Sequence, residues 1–490
     1  MTAVQAFTGY DRSSLVPTVV HLGPGVFHRA HQAVYSDLLL RNGERSGAIW
    51  GLSLRSPAVR DALQPNGFVY HVVELGNPSA GSSGAGVGGS AAITPVGSLL
   101  GVDVVGADVQ QALARLIDPS VSVVTITVTE HGYCAVTPAG PLDLQRPEVT
   151  HDLEHPTAPR SLPGLIVEAL KRRRASGTAP FTVASCDNLP GNGQATARVV
   201  LDYAECRDSS LAGWIRANVA FPSSMVDRMV PATTEADLQA LQDAGYQDRW
   251  PVITEPFSQW VLEDTFPYGR PAWERAGVDF VPDVRVHEQA KLRILNAAHS
   301  ALAYWGLLAG HELVWSAATD PVLAAAVREL LVREVLPTLT PPPGWDLGRY
   351  ADQVLERFSN SALPYTTAKV AADGSQKLAV RLMPTVRAHL EAGTPAPRSV
   401  QVVGAWVACV AGPRAAALGV QDAQLARGKL PGLEPGASLS RSVSALLAIP
   451  GFFPDADPRA RTFRAEVERA ADLLQSEDPR TVLIGPKAAG

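Results

Sequence analysis

The chain has 490 residues, of which 46% are hydrophobic and 18% charged, and a formal net charge of -6 at pH 7. This length exceeds what one hydrophobic core usually serves, so we expect two domains, and the scattered lysines and arginines argue against a nucleic-acid partner. No apolar run approaches the roughly 18 residues of a membrane span, and the start lacks the pattern of a signal peptide, so we expect a cytoplasmic protein.

The first predicted elements form a β-α-β unit. A buried strand at Pro17–Leu22 runs directly into Gly23-Pro-Gly25, and a helix over His28–Arg41 should follow. A second strand over Ala48–Leu54 completes the unit. The Gly- and Ser-rich stretch 75–90 is predicted to be a surface loop.

Two further strands indicate the fold class. They cover Val121–Thr129 and Phe181–Ser185, with a helical stretch over Leu165–Arg174 between them. Strands that alternate with helices are typical of an α/β domain with a parallel, doubly wound sheet. Long apolar-periodic segments such as Ala290–Leu308 and Leu323–Val335 then predict a mainly helical C-terminal part. We place the boundary between residues 1–285 and 286–490.

The glycine turn is a candidate dinucleotide site. Gly23 and Gly25 would let the backbone approach a pyrophosphate, while His28 replaces the third glycine of the usual fingerprint. On this pattern alone, a cofactor turn and a plain strand-to-helix turn are equally good interpretations. Phe27 lies in the same turn, and Arg29 either pairs a phosphate or is simply solvated.

The end of the second predicted strand lacks the acidic residue that usually binds the ribose of NAD. Leu54-Arg55-Ser56-Pro57 stands there instead. Arg55 either faces the 2'-phosphate of NADP or points into solvent. The preference between NAD and NADP is therefore open.

Polar residues on one predicted helix suggest acid/base chemistry. At about 100° per residue, Glu288, Lys291, Asn296 and His299 share one half of the helix. A lysine among apolar neighbours can serve as a general base. The alternative is an amphipathic helix with a solvated polar side.

Strand ends and cysteines complete the candidate residues. Asn188 and Glu130 each follow a predicted parallel strand, where side chains face the ligand crevice, although Asn188 can equally well shape a turn. The four cysteines form no CxxC pair, and no HExxH motif is present. We therefore expect reduced core thiols and no metal.

In combination, these segments resemble the long-chain mannitol dehydrogenase family. The resemblance spans about residues 18 to 455 and rests on motifs in the same order along the chain: Gly23-Pro-Gly-Val-Phe-His-Arg-Ala-His-Gln32, Thr127-Val-Thr-Glu-His-Gly-Tyr133, Ser185-Cys-Asp-Asn-Leu-Pro190, Glu255-Pro-Phe-Ser-Gln-Trp-Val-Leu-Glu-Asp264, Lys291 to His299, and Asp373-Gly-Ser-Gln-Lys377.

The resemblance implies an N-terminal Rossmann-type domain, a mainly helical C-terminal domain, a nicotinamide cofactor and no metal. It implies that Lys291 is the catalytic acid/base, that Asn188 and Asn296 stabilise the oxyanion, and that His299 orients the substrate. Glu288 corresponds to a residue linked to proton movement. Lys369 stands where the mannitol enzymes have arginine.

The predicted reaction is oxidation of D-mannitol, or a related pentitol, to its ketose with NAD, with NADP as a possible cofactor. Alternatives are conversion of D-mannonate to D-fructuronate, and a phosphorylated polyol as substrate. A catalytically silent binding protein on the same fold is a different class of function. We expect small-molecule partners and a monomer or small homo-oligomer.

Overall fold

The computed structural model describes residues 7–76, 91–137, 139–425, 430, 432–434, 436–453 and 458–484. The described chain divides into two compact units, Met1–Arg285 and Val286–Gly490. Most of the predicted Gly- and Ser-rich loop, residues 77–90, lies outside the described residues.

The first unit contains eleven named strands in its described part: β1 (Val19–Leu22), β2 (Ile49–Ser53), β3 (Tyr70–Leu75), β4 (Ala91–Val96), β5 (Leu99–Val104), β6 (Val123–Ile126), β7 (Thr182–Ser185), β8 (Ser224–Asp227), β9 (Val252–Thr254), β10 (Gln259–Glu263) and β11 (Asp279–Val281). Its α-helices are Val26–Ala30, Gln32–Arg41, Ala58–Leu63, Val109–Ile117, Pro147–Glu154, Leu162–Ser176, Asn192–Arg207, Ser209–Asn218 and Glu235–Asp243.

Five of these strands form a parallel sheet in the order β5-β2-β1-β6-β7. The chain order reverses between β1 and β6, which is the switch point where doubly wound sheets bind ligands at the carboxyl ends of their strands. Two smaller three-stranded sheets, β11-β10-β8 and β4-β3-β9, are additions that the sequence analysis did not predict.

Both faces of the parallel sheet are buried. Val20 and Leu22 belong to one hydrophobic cluster, while Val19 belongs to another. Because successive side chains of a strand point to opposite faces, this alternation places one cluster on each side of the sheet. The predicted doubly wound α/β architecture is confirmed.

The second unit is mainly helical, as predicted. Its described α-helices, counted from the segment that crosses the unit boundary, are Arg285–Ala290, Asn296–Leu308, Val314–Thr319, Pro321–Glu329, Leu347–Phe358, Thr367–Ala371, Gly374–Arg381, Met383–Ala392, Pro397–Ala411, Ala415–Leu418, Leu439–Leu447, Pro458–Ser476 and Pro479–Ile484. Two π-helical segments, Lys291–Leu295 and Leu330–Val335, interrupt the predicted long helices.

The predicted helix His28–Arg41 is also interrupted. The structure has a short helix at Val26–Ala30 and a second at Gln32–Arg41, with His31 between them at φ -119° and ψ -91°. The ring of His31 lies 2.9 Å from the carbonyl oxygen of Gln259, so a contact distant in sequence accompanies the break.

Candidate functional site

The turn after β1 requires glycine at its first position. Gly23 has a φ of 90°, and a β-carbon there would lie 2.1 Å from the carbonyl oxygen of Thr127. The Gly23 amide donates to the carbonyl of Leu52 at 2.9 Å, which ties the turn to β2. The first glycine of the motif therefore allows β1 and β6 to approach each other at the switch point.

Gly25 fits a different requirement. It precedes the helix Val26–Ala30, and a β-carbon on it would meet only the carbonyl oxygen of Gly23, at 3.8 Å. Open space beside the backbone is what close approach of a pyrophosphate needs. The glycine turn thus fits a dinucleotide, with Gly23 serving the fold and Gly25 leaving room for the ligand.

The next two predicted cofactor residues require correction. The Arg29 guanidinium is completely buried, donates to the carbonyl of Trp250 at 2.6 Å, and lies over the rings of Tyr70 and Trp250. The expectation of a phosphate contact is wrong, and so is the solvated alternative, because the side chain is used inside the unit.

His28 is likewise a packing residue. Its ring is 1% exposed and stacks on His21 with centroids 3.5 Å apart. Burial holds the pKa of His28 well below its usual value, so the ring is neutral. The ring is covered by protein atoms, which argues against a side-chain contact with the cofactor, and the assignment of His28 to the cofactor turn stays a prediction.

The carboxyl ends of β6 and β7 form a pocket of about 400 Å³. Three predicted residues, Phe27, Glu130 and Asn188, line this pocket together. Glu130 and Asn188 are both exposed. The structure therefore brings together side chains that are far apart in the sequence.

Asp187 holds the two loops of this pocket together. Its carboxylate accepts from the Val128 amide at 2.9 Å and from the Tyr133 hydroxyl at 2.5 Å. Burial raises the pKa of Asp187 to about 7, against the opposing hydrogen bonds from Tyr133 and Val128. Asp187 was not selected from the sequence, because its partners lie more than fifty positions away.

A second pocket, of about 350 Å³, lies beyond β2 and β6. Arg55 lines it, and its guanidinium forms an ion pair with Glu148 at 3.0 Å. Arg146 and Arg160 line the same pocket. These three partners were missed because no local motif marks residues that come from the helix Pro147–Glu154 and its flanking loops.

In the second unit, the predicted catalytic lysine begins a π-helical segment. Lys291 is 7% exposed and starts the stretch Lys291–Leu295. The helical angles derived from the sequence are therefore wrong across this stretch, because a π turn contains more residues than an α turn. Single π turns inside α-helices occur frequently at functional sites.

Arg293 anchors the π segment. Its buried guanidinium donates to the hydroxyl of Thr385 at 2.8 Å and to the carbonyl of Thr338 at 3.1 Å. These bonds link the segment to two other parts of the second unit. The position of Lys291 is thus fixed by contacts that the helix itself does not provide.

Asn296 and His299 follow on the same helical run and carry unsatisfied polar atoms. Asn296 Nδ2 and His299 Nε2 are buried and have no hydrogen-bond partner in the part of the chain that the structure describes. The His299 ring stacks on Phe358 with centroids 4.7 Å apart. Burial, together with the charges of Arg381, Lys377 and Arg357, lowers the pKa of His299 to about 3.

The remaining predicted residues of this unit differ in exposure. Glu288 is partly buried, and Lys369 is exposed on the helix Thr367–Ala371. Lys377 and Arg381, which the sequence analysis did not select, lie in the next helix and act electrostatically on His299. In the sequence, the four-residue spacing of Lys377 and Arg381 was the signal that could have placed both cations on one face of a helix.

The described ranges offer neither a metal site nor a membrane span. No group of three or more His, Cys, Asp and Glu side chains there is placed to hold a metal ion, and no helix there is long and apolar enough to cross a membrane. Cys134, Cys186 and Cys409 are buried free thiols as predicted, whereas the prediction of a core thiol is wrong for Cys206, which is exposed.

Comparison with known proteins establishes the family. Residues 17–275 match the model of the mannitol dehydrogenase Rossmann domain, and residues 283–474 match that of the mannitol dehydrogenase C-terminal domain. The chain belongs to the mannitol dehydrogenase family. The resemblance inferred from the ordered motifs is thereby confirmed.

Two relatives in the mannitol dehydrogenase family show how far the similarity extends. D-mannonate oxidoreductase of Escherichia coli (strain K12) is 41% identical over 476 residues, covering 95% of this chain and 94% of the relative. Mannitol 2-dehydrogenase of Cereibacter sphaeroides is 41% identical over 397 residues, covering 80% of this chain and 81% of the relative.

A solved structure extends the comparison to the fold. Mannitol 2-dehydrogenase of Pseudomonas fluorescens, in a ternary complex with NAD and D-mannitol, matches with a TM-score of 0.81 and 34% identity. The match covers 97% of this chain and 95% of that one. The combination of a Rossmann domain and a helical domain is therefore the family's own architecture.

Proposed function

We propose that this protein is a nicotinamide-dependent oxidoreductase that interconverts a polyol of the D-mannitol type with its ketose. Lys291 is the general acid/base, and NAD is the cofactor, with NADP also accepted. The relatives named above act on a polyol and on a sugar acid, and this chain matches both over most of its length.

The observation that carries the proposal is the arrangement on one helical run of the second unit. Lys291 is buried there, and Asn296 and His299 follow with buried polar atoms that have no partner within the described chain. Buried polar groups in native proteins are almost always hydrogen-bonded, so unpaired ones need an explanation. A hydroxylated substrate would supply the missing partners.

The chemistry follows from these residue types. A nicotinamide held at the turn of Gly23 and Gly25 would supply the hydride-accepting chemistry for the carbinol carbon. Lys291, as the free amine, takes the hydroxyl proton, and the amide group of Asn296 stabilises the negative charge on that oxygen. We assign the same oxyanion-stabilising role to Asn188 on the family resemblance. His299 is neutral because of its lowered pKa, so it orients a hydroxyl without adding charge. Glu288 passes the proton onward.

Glu130, Lys369 and the glycine turn have supporting roles in this proposal. Glu130 lines the pocket with Phe27 and Asn188, where we assign it to the substrate or proton path. Lys369, which is exposed, is assigned to the far end of the substrate. The glycine turn of Gly23 and Gly25 fits the cofactor pyrophosphate.

A second candidate, D-mannonate as the substrate, is favoured by the charges around His299. Arg381, Lys377 and Arg357 all act on this ring and contribute to its lowered pKa. Arg381 is partly buried and donates to the Ser300 hydroxyl at 3.1 Å. These cations, although Asp373 and Asp422 also act on Lys377, would stabilise a carboxylate.

The test is a comparison of kcat/KM for D-mannitol and D-mannonate, each with NAD and NADP, followed by nicotinamide absorbance. The two substrates differ at one end only, where mannonate has a carboxylate. A preference for mannonate that Lys377→Gln reduces at least tenfold more than it reduces mannitol oxidation supports the sugar acid. A preference for mannitol supports the polyol, and mannitol 1-phosphate tests the phosphorylated alternative.

The proposal as a whole fails if no polyol, ketose or sugar acid in the panel changes the nicotinamide absorbance. A folded protein with normal thermal unfolding and no turnover would then support a silent binding protein. Binding of NADH, measured by its fluorescence, separates a protein that lacks only the substrate from one that lacks the cofactor site.

A further inference from the structure

The pocket beyond β2 is lined by an excess of arginine. Arg55, Arg146 and Arg160 line it, against Glu148 as its lining carboxylate. Arg55 and Glu148 form an ion pair at 3.0 Å. Arg146 lies 3.8 Å from Asp143 in a longer ion pair.

Of the three arginines that line this pocket, Arg160 is the one without an ion pair to a described residue. It is exposed, and its guanidinium has no ion pair or hydrogen bond to any described residue, although its backbone amide donates to Asp152. Arg55, Glu148 and Arg160 also line a neighbouring cavity of about 480 Å³. The same two arginines therefore face two adjoining cavities.

The place of this pocket in the fold indicates its ligand. Leu22 of β1 is paired with Leu52 of β2, so the glycine turn and the Leu54-Arg55-Ser56 segment leave the sheet at the same edge. In Rossmann domains the residues after the second strand contact the adenosine ribose next to its 2' position. In this chain Arg55 provides a guanidinium and Ser56 a hydroxyl at that place, instead of the usual carboxylate.

Ser56 is available to bind as well. Its hydroxyl oxygen accepts from the Ala58 amide at 3.2 Å, which leaves the hydroxyl hydrogen free to donate. Ser56 is exposed, and its main chain is held by the Ser53 hydroxyl, which donates to the Ser56 carbonyl at 2.6 Å. The segment is thus fixed while its side chains stay accessible.

We propose that Arg55, Arg160 and Ser56 form a binding site for the 2'-phosphate of NADP. This inference rests on the proposed function, because it requires a nicotinamide dinucleotide as the cofactor. Arginine is well suited to phosphate, which it binds with two parallel hydrogen bonds. Glu148 is the counter-ion of Arg55 when the 2' position carries a hydroxyl, and the phosphate replaces it when NADP binds.

The test is calorimetric titration of the whole protein with 2',5'-ADP and with 5'-AMP, which differ only in the 2'-phosphate. We expect 2',5'-ADP to bind at least tenfold more tightly. Arg55→Ala and Arg160→Ala should each remove most of this difference, while the affinity for 5'-AMP changes less than threefold. Arg216→Ala, which removes an exposed arginine from the helix Ser209–Asn218, is the matched control and should change neither affinity.

Glu148→Gln separates the proposed role from a general structural one. Removing the like charge should strengthen 2',5'-ADP binding, whereas damage to the pocket would weaken both ligands. The inference is overturned if 2',5'-ADP binds no better than 5'-AMP, or if its advantage survives both arginine substitutions. If NADH binds and is oxidised in those cases, only the phosphate site is wrong; if no nucleotide binds, the proposed function fails too.

Discussion

Replacing Gly23 by alanine tests the structural basis of the cofactor turn. The new β-carbon would lie 2.1 Å from the carbonyl oxygen of Thr127, whereas real β-carbons essentially never come within 3.0 Å. The turn and β6 must therefore separate by about 0.9 Å, and overpacking of this kind costs about 1–3 kcal/mol. The positive φ costs an alanine a further 1–2 kcal/mol or so.

The total destabilisation is thus about 2–5 kcal/mol. At about 2 °C per kcal/mol for a large domain, Gly23→Ala should lower the Tm of the unfolding transition by roughly 4–10 °C. Calorimetric unfolding measures this change, and titration with NADH measures the accompanying loss of cofactor affinity.

Gly25→Ala is the matched control. Its φ of -73° suits alanine, and its new β-carbon has 3.8 Å to the nearest atom, so the Tm should stay within about 1 °C of the native value. NADH affinity should nevertheless fall about tenfold or more, because the methyl group occupies the space left for the pyrophosphate. Equal Tm values for Gly23→Ala and the native protein, or equal losses in the two variants, would refute this reasoning.

Three other predictions follow from the site. Lys291→Ala should lower kcat by about 100 to 10,000-fold with little change in NADH affinity, and near-normal turnover at neutral pH would show that another group is the base. Dialysis against EDTA should leave activity intact, whereas loss of activity with a stoichiometric metal would contradict a lysine-based mechanism. Because the pKa of Asp187 is raised to about 7, the folded protein holds a proton between about pH 4 and 7 that the unfolded chain has lost, so this group lowers the free energy of unfolding as pH rises. Asp187→Asn should flatten that dependence in urea unfolding measured at several pH values, and an unchanged slope would show that Asp187 does not carry the proton.

The strands around the switch point were predictable from the sequence. β1, β2, β6 and β7 all lie inside the predicted runs, because short β-branched segments bounded by turn residues describe buried parallel strands well. The two smaller sheets were not predicted. Two of their strands, Val252–Thr254 and Asp279–Val281, contain only three residues each, too few to show a period.

The details of the site depended on contacts that sequence spacing does not contain. Arg29 looked like a phosphate ligand by position, yet Trp250, more than two hundred residues away, accepts its hydrogen bond. Glu148 supplies the carboxylate beside Arg55 from a helix that no motif marks. The π turn at Lys291 changes which face each side chain occupies, and apolar periodicity does not reveal one extra residue in a turn.

The most direct test of the central claim is to follow one hydrogen atom. A polyol or sugar acid that carries deuterium on the carbon to be oxidised is incubated with the protein and NAD, and the reduced nucleotide is analysed by mass spectrometry. Hydride transfer predicts that each reduced nicotinamide carries one deuterium, with none released to water. Reduced nicotinamide without deuterium, or deuterium recovered in the solvent, would contradict the proposed reaction.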